Sequence, residues 1–227
     1  MKIEFSRVNT DNLIFGENFF TRQAVQSRGG TIAGCTVGSY QGGSLMRVGT
    51  TDNIVYKGTE GLSNNAQKLT LIFRFTSSAT LNVSRNYICN TNNAFSSCQW
   101  FIQTSNALLV FYVNGAVNYF YTTNNITAST DYFACAVYDG TQAAANRGVW
   151  YLNGAAPGTS IIGTLSTSIL PLGLPISIFN AYDTGVSAPN TDVVLRNVRL
   201  YNTAWSAQEV LDDYNNQTYA KAFGGGP

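Results

Sequence analysis

The sequence contains no histidine and little charge of either sign. Without histidine, the imidazole base of a Ser-His-Asp or Cys-His nucleophile is missing, and so is every histidine metal ligand. Charged residues make up 11% of the chain, well below the roughly 25% of an ordinary globular domain. The polar surface must therefore consist largely of Asn, Thr, Ser, Gln and Gly, which is typical of β-rich modules rather than of helices held by ion pairs.

Three further features are missing from the chain. Its 13 basic residues form no run and its net charge is +1, so we expect no basic face for nucleic acid. No apolar stretch approaches the roughly 18 residues of a membrane-spanning helix, and the first residues show no secretory signal pattern. No GxxxxGK loop followed by Ser or Thr is present to bind phosphates. These absences argue against nucleic-acid binding, membrane insertion and nucleotide hydrolysis.

The chain has four cysteines, and their spacing matches neither paired zinc motifs nor a redox motif. Cys89 and Cys98 flank the polar segment NTNNAFSS, a separation that permits a disulfide closing a hairpin. In a chain made in the cytosol, the alternative is that all the thiols are reduced and mostly buried. The sequence leaves both interpretations open and favours the reduced one.

The chain is rich in short β-favouring segments separated by turn residues. Aromatic and β-branched residues alternate with polar ones, which predicts strands with one buried face. The clearest hairpin uses Asn114-Gly115 as a two-residue turn, and Asn153-Gly154 predicts a second one. The predicted strands are Lys68–Phe75, Asn82–Cys89, Gln99–Thr104, Leu108–Val113, Ala116–Tyr121, Tyr132–Tyr138, Gly148–Leu152, Leu174–Phe179 and Val193–Tyr201.

One helix is predicted, near the end of the chain, where Ser206 and Glu209 form a capping box before a short amphipathic run. Many short strands followed by one helix predict an all-β fold, a two-sheet antiparallel jelly-roll sandwich with one short C-terminal helix. We divide the chain into an N-terminal arm or edge strand at 1–28, the sandwich domain at 29–223, and a flexible tail at 224–227.

Three stretches resemble a known family: Gly43–Phe75, Arg147–Thr159 and Val194–Asn215. The last, VLRNVRLYNTAWSAQEVLDDYN, is the most specific, because it is similar to the strand and helix that close the fold in that family. Together the stretches resemble the laminin-G-like branch of the concanavalin A-like lectin/glucanase superfamily, of the kind found in phage virion proteins. The resemblance implies a laminin-G-like jelly roll over 29–223.

The closing stretch also predicts which side chains face the core. Val198, Leu200 and Trp205 are expected inside the sandwich, with Arg199 outside it. On the helix, the expected solvated face carries acidic residues, and Val210 and Leu211 are expected to cover a sheet edge. The acidic residues are Glu209, Asp212 and Asp213.

The resemblance implies a calcium site in many members, built from a carboxylate near Asp52 and another in the closing strand. In this chain Asp52 is present, but Arg196 stands where the second acidic residue is usual. Calcium requires about six oxygen ligands, usually including carboxylates. We therefore expect no cofactor and interpret Asp52 as a turn cap, with a loop-borne cluster as the alternative. Its further carboxylates would be Asp139, Asp183 and Asp192.

Catalysis is not expected. The glucanase branch of the resembled superfamily carries an E-x-D-x-E-like array in one strand, which places the nucleophile and the acid on a shared face. This chain has no such array. The sequence therefore predicts a protein that acts by surface contact.

The first functional hypothesis is a virion structural or adhesion protein on the exterior of a phage particle, acting as a capsid-decoration, head-fibre or tail-associated module. The resemblance implies it, and the low charge and missing secretion signal fit it. Its partners would be other virion proteins or copies of itself, and we expect a homo-oligomer. The segment 1–28 would supply the docking arm, or else an edge strand of the same sandwich.

The alternative hypothesis is a lectin-like domain, free or on a cell surface, that binds host glycans. Exposed aromatic side chains stack on sugar rings, while amides and carboxylates bond the hydroxyl groups. Core packing is the competing interpretation for Trp100 and for one of Tyr119 and Tyr121, and we expect it for Trp100. The candidate ligand-binding residues are Asn92, Asn93, Tyr119, Tyr121, Asn124, Tyr182 and Asp183.

Overall fold

The computed structural model describes residues 12–17, 26, 29–33, 36–38, 44–46, 53–81, 85–91, 98–179 and 193–222. In these ranges the chain forms antiparallel strands, a 3₁₀ turn at Ala144–Asn146 and the C-terminal helix α1 (Ala207–Ala222). The strands are β1 (Leu13–Glu17), β2 (Gly30–Ala33), β3 (Thr36–Gly38), β4 (Ser44–Met46), β5 (Asn53–Tyr56), β6 (Lys68–Thr76), β7 (Arg85–Thr91), β8 (Cys98–Ser105), β9 (Leu108–Val113), β10 (Tyr119–Thr122), β11 (Asp131–Asp139), β12 (Gly148–Leu152), β13 (Thr159–Ile162), β14 (Ile176–Ile178) and β15 (Val194–Tyr201).

The described strands build two sheets. The seven-stranded sheet has the order β12-β11-β6-β15-β4-β3, with β1 also paired to β15. The eight-stranded sheet has the order β13-β10-β9-β8-β7-β14-β5-β2. Every pairing is antiparallel. The predicted all-β sandwich with one C-terminal helix is thus confirmed.

The main core lies between the two sheets and is dominated by aromatic rings. Phe120 of the eight-stranded sheet contacts Phe111 at 5.0 Å and Trp150 of the facing sheet at 5.9 Å, centroid to centroid. Trp100 is fully buried in this core, as predicted, and its indole N–H donates to Ser63 Oγ at 3.0 Å. Side chains along a strand point alternately into the core and to the outer face of the sheet. Once the core residues are known, the residues between them are therefore the ones on the outer face.

A second cluster covers the outer face of the seven-stranded sheet, beneath α1. It contains Val210 and Trp205 together with outward residues of β6, β11 and β12. The indole of Trp205 packs against Tyr201 at 4.6 Å between ring centroids. The expectation that Trp205 lies between the sheets was wrong, because α1 provides the cover that buries this side chain on the outer face.

The prediction of a solvated acidic face on α1 was wrong at Asp213. Its carboxylate is buried and accepts two hydrogen bonds from Arg199, which points away from the sandwich core as predicted but lies under the helix. Leu211, expected to cover a sheet edge, is instead 38% exposed. The capping box is confirmed, since the Ser206 backbone N–H donates to Glu209 Oε2 at 2.7 Å and the Glu209 N–H donates to Ser206 Oγ.

The hairpin between β9 and β10 differs from its prediction. Val113 N–H donates to Asn118 O, so the loop spans four residues instead of two, and β10 begins at Tyr119. The backbone N–H groups of Asn114 and Gly115 bond to β8 instead, at Gln99 O and Cys98 Sγ. The pairing shifts by two residues as a result, and an even shift leaves every β10 side chain on its predicted face.

Part of the predicted N-terminal segment is an edge strand. Leu13–Glu17 forms β1, which pairs with the C-terminal half of β15 in the seven-stranded sheet. Apart from residues 12–17 and 26, the segment 1–28 lies outside the described residues, as does the predicted tail at 224–227. Within the described ranges, no helix combines the length and the apolar character needed to cross a membrane.

Candidate functional site

Aromatic side chains form a row on the outer face of the eight-stranded sheet. The register pairs Phe101 with Tyr112, Tyr112 with Tyr119, and Tyr119 with Ile162. Tyr121, two residues along β10, faces the same way because strand side chains alternate with a period of two. We call Phe101, Tyr112, Tyr119 and Tyr121 the tyrosine stripe.

The rings of the stripe touch one another in sequence. Phe101 and Tyr112 are stacked, with centroids 4.1 Å apart and planes within 7° of parallel. Tyr112 and Tyr119 follow at 4.9 Å, and Tyr119 and Tyr121 at 6.0 Å, both pairs tilted by about 45°. The stripe is thus a continuous aromatic surface that crosses three strands and extends along the third.

The stripe carries hydroxyl groups that the protein leaves available. Tyr112 Oη accepts a hydrogen bond from Gln103 Nε2 at 2.8 Å and keeps its own proton for another partner. The hydroxyls of Tyr119 and Tyr121 have no hydrogen-bond partner in the described part of the chain, and neither hydroxyl is fully buried. Both therefore face solvent and can donate to and accept from a ligand.

The environment keeps the Tyr112 phenol and the nearby Cys98 thiol neutral. Burial raises the pKa of Tyr112, assisted by the neighbouring Tyr119 and Cys98 and opposed by the hydrogen bond from Gln103. Burial also raises the pKa of the Cys98 thiol to about 11, although the Gly115 N–H works against the shift. At neutral pH these groups are therefore a phenol and a thiol, neither of them an anion.

Exposure increases along the stripe toward one edge of the sheet. Phe101 is 3% exposed, the three tyrosines are half-buried, and Ile162 on β13 is 43% exposed. β13 is the terminal strand of this sheet in the described part of the chain. Among the described residues, the stripe is therefore most accessible from the β13 side.

Two of the candidate residues from the sequence lie in the stripe, Tyr119 and Tyr121. Neither of them packs into the core, which was the alternative interpretation for one of the two, because the residue between them, Phe120, takes the inward position. Asn124 is exposed on the loop that follows β10. The other candidates lie outside the described residues: Asn92, Asn93, Tyr182 and Asp183.

Sequence reasoning missed Phe101, Tyr112 and Gln103. The signal was available in the alternation of LLVFYV and CQWFIQTS. It places Tyr112 on the other face of its strand from Phe111, and Phe101 and Gln103 on the other face from the buried Trp100 and Ile102. What the sequence could not supply was the register that aligns the outward residues of three strands.

Asp52, the candidate calcium ligand, lies outside the described residues, as do Asp183 and Asp192. Asp139 caps a turn, because its carboxylate accepts hydrogen bonds from Thr141 and Gln142 and lies 3.7 Å from Lys68 Nζ. In the described part of the chain, no three His, Cys, Asp or Glu side chains come together as a metal site.

Cys89 and Cys98 are thiols in the structure, with no disulfide between them. Both are buried in a small cluster with Phe101, under the inner end of the stripe. The register explains why they do not face each other directly, since Cys89 lies opposite Phe101 and Cys98 lies opposite Thr91. The hairpin-closing disulfide, the less favoured of the two interpretations from the sequence, is therefore not formed in this structure.

The described carboxylates are all engaged in bonds within the protein. Each accepts a hydrogen bond or forms an ion pair, and none of these bonds joins one carboxylate to another. The residues and their partners are Glu17 with Tyr56, Glu60 with Gly58, Asp131 with Arg196, Asp139 with Thr141, Glu209 with Ser206, Asp212 with Gln208, and Asp213 with Arg199.

No protein-family model matches the chain, and no curated protein sequence matches it. Solved structures do share its fold. The receptor binding domain of botulinum neurotoxin C/D mosaic serotype has a TM-score of 0.63 at 11% identity, covering 92% of this chain and 52% of that one. The type G receptor binding domain has a TM-score of 0.60 at 14% identity, covering 91% and 51%.

Trypanosoma rangeli sialidase is a further structural neighbour. In its complex with a difluoro-KDN ligand it has a TM-score of 0.58 at 15% identity, covering 83% of this chain and 29% of that one. The chain thus spans about half of the toxin domains and less than a third of the sialidase. At these identities the likeness shows the fold alone, a β-sandwich of the jelly-roll type.

Proposed function

We propose that this protein is a non-catalytic attachment domain that binds saccharides on the tyrosine stripe. The observation that carries the proposal is the solvent-facing pair of Tyr119 and Tyr121, whose rings are half-buried and whose hydroxyls have no protein partner among the described residues. A tyrosine with its ring held in place stacks on the apolar face of a sugar ring and bonds a hydroxyl at its tip.

A binding role without catalysis is supported by the carboxylates. Most glycoside hydrolases use two carboxyl groups roughly 5–10 Å apart across the scissile bond. Each described carboxylate here is held by a structural partner instead, as with Asp131 by Arg196 and Asp213 by Arg199. The stripe itself contains no carboxylate, so it offers contact and no acid or base.

The structural neighbours are compatible with this proposal. The neurotoxin structures are receptor binding domains, and the sialidase has been solved in complex with sialic acid. Those activities belong to the neighbours. They support the proposal to the extent that sandwiches of this type serve as scaffolds for ligand recognition.

The test is to replace the two half-buried tyrosines and measure saccharide binding by retardation in polysaccharide-containing native gels. Tyr119→Ala and Tyr121→Ala should each abolish the retardation that the unmodified protein shows. Tyr119→Phe keeps the ring and should retain most of it. Tyr214→Phe, on α1, is the control and should behave as the unmodified protein does. Equal retardation of all four variants would place the binding elsewhere.

Attachment to a phage particle is the second candidate function, and one loop is suited to the protein contact that it requires. Leu170 and Leu172 are 45% and 42% exposed, yet their loop is firmly held. Asn114 bonds both Ser168 O and the Leu170 N–H, and the buried Gln99 bonds Leu170 O and the Leu174 N–H. A rigid loop that presents two leucines is suited to an apolar depression on a neighbouring subunit.

In this second candidate, the partners are other proteins of the particle or further copies of the chain, and the protein is located on the particle exterior. Particles purified by density gradient should contain the protein in stoichiometric amounts. Leu170→Ser combined with Leu172→Ser should release it, and Val117→Ser, at a 72% exposed position on another loop, should not. Retention of the double variant would exclude this loop as the contact.

A further inference from the structure

Charge is distributed unequally between the two sheets. The strands of the seven-stranded sheet contain charged residues of both signs: Glu17, Lys68, Arg74, Asp131, Asp139, Arg196 and Arg199. Among the described strands of the eight-stranded sheet, Arg85 at the start of β7 is the one charged residue. The described strands whose outer face bears the tyrosine stripe are therefore almost free of charge.

The register places Arg85 away from the stripe. Arg85 is opposite Thr104 on β8, and Thr104 is opposite Leu109 on β9. The stripe crosses the same strands three residues away, at Phe101 and Tyr112. Three residues of a strand span about 10 Å, and Arg85 lies on β7, two strands from Tyr112.

From this arrangement we infer that the tyrosine stripe takes an uncharged saccharide. This inference rests on the proposed function and specifies its ligand class. The polar groups that accompany the rings are three phenolic hydroxyls, the Gln103 amide and the hydroxyl of Ser160, the cross-strand neighbour of Tyr121. Hydroxyls and amides both donate and accept, as the hydroxyl groups of a neutral sugar do.

Among the described residues, no cation lies beside the stripe to pair with an acidic saccharide. A carboxylate or sulfate laid on half-buried rings loses part of its hydration, and that loss is recovered when a cation or several N–H donors replace the water. The cations with described side chains lie away from the stripe. Lys57 follows β5, four strands from β9 in the sheet order, and Arg74 lies over the Phe133 ring of the seven-stranded sheet. The other four are engaged by partners. Lys68 is close to Asp139, Arg196 and Arg199 bond Asp131 and Asp213, and Arg147 bonds Leu165 O.

The experiment compares retardation of the full chain in native gels that contain neutral polysaccharides (glucan, mannan and galactan) with gels that contain acidic ones (polygalacturonate, polysialate and a sulfated galactan). Retardation in at least one neutral gel and in none of the acidic gels is the expected result. Retardation by the acidic polymers, abolished in Tyr119→Ala, overturns the inference and leaves the proposed function intact. Absence of retardation in every gel overturns both.

A gain-of-charge variant sharpens the test. Ser160→Arg adds a cation beside Tyr121 and should create retardation in the acidic gels that the unmodified chain lacks. Ala145→Arg adds the same charge at an exposed position before β12 and is the matched control. If both variants gain the same retardation, net charge explains the effect, and the stripe is not the acceptor. If neither gains any, a missing cation is not what excludes acidic ligands, and the inference fails.

Discussion

Arg199 and Asp213 form a doubly hydrogen-bonded ion pair beneath the C-terminal helix, with Nη1–Oδ1 at 2.8 Å and Nη2–Oδ2 at 2.5 Å. Their side chains are 6% and 8% exposed, so the pair is almost completely removed from water. Arg199 Nη1 also donates to the Tyr201 hydroxyl. The pair therefore fastens α1 to the seven-stranded sheet with fixed orientation, in addition to the apolar contacts of Val210 and Trp205.

Breaking this pair on one side should be costly. Asp213→Ala leaves an uncompensated buried guanidinium, and we expect a loss of about 3–5 kcal/mol in the free energy of unfolding. Arg199→Met combined with Asp213→Leu removes both charges and should recover much of that loss. Arg196→Met is the control, because Asp131, the partner of Arg196, is 45% exposed. We expect it to lower the free energy of unfolding by less than about 1 kcal/mol. Urea denaturation measures all three.

Gly148 should not tolerate a side chain. A Cβ at this position overlaps the ring of Phe120, which is locked in the core between Phe111 and Trp150. Gly148→Ala should destabilise the protein by about 1–3 kcal/mol through overpacking. Because Phe120 separates Tyr119 from Tyr121, the same variant should also weaken binding at the stripe. Gly16→Ala meets neighbours no closer than 3.5 Å and should be nearly neutral in a thermal melt.

The buried thiols should be unreactive in the native protein. The pKa of Cys98 is raised to about 11 and that of Cys135 well above its usual value, in both cases chiefly by burial, so little thiolate forms at neutral pH. Iodoacetamide at pH 7.5 should label neither residue until the protein is unfolded. In urea without reductant, Cys89 and Cys98 should both be alkylated. Peptide mass spectrometry that found them joined would restore the disulfide interpretation.

Asp139 should contribute to a loss of stability in acid. Partial burial raises its pKa, but hydrogen bonds from Thr141 and Gln142 and the charge of Lys68 outweigh that effect and lower it. A carboxyl group whose pKa is lower in the folded protein stabilises the fold when the pH is above the unfolded-state pKa, near 3.9. This stabilisation is lost as the pH falls through the folded-state pKa. Asp139→Asn should therefore show a flatter decline in unfolding free energy between pH 5 and pH 2, in urea titrations at each pH. Matching slopes would contradict this assignment.

How far the sequence determines this fold is shown by two identical dipeptides. Asn153-Gly154 makes the predicted two-residue reversal, with Leu152 and Ala155 exchanging backbone hydrogen bonds. Asn114-Gly115 also has positive φ at both residues, yet its chain continues alongside β8 before turning. The difference comes from Gln99 and from the Ser168–Leu170 loop, which bind Asn114 and are distant in the sequence. Local signals predicted that a turn occurs, and tertiary contacts set its length.

The site shows the same division. Alternation within β10 identifies Tyr119 and Tyr121 as sharing a face, and the apolar Phe120 between them indicates that the face points outward. That Tyr112 and Phe101 join them depends on pairing across three strands, which no single segment encodes. Asp213 is a similar case, since its helix is amphipathic in sequence but its partner Arg199 becomes visible when the helix is placed on the sheet.

The separation of charge between the sheets has a consequence for how the molecule meets a partner. Electrostatic steering of a partner toward a protein depends on the electric field of the surface charges. Dissolved salt screens this field within about 8 Å at physiological ionic strength. A face whose strands carry almost no charge offers little such field, so encounters at the stripe should proceed at the unassisted rate of neutral surfaces. The association rate and the affinity at the stripe should then stay nearly constant from dilute buffer to sea-water salinity.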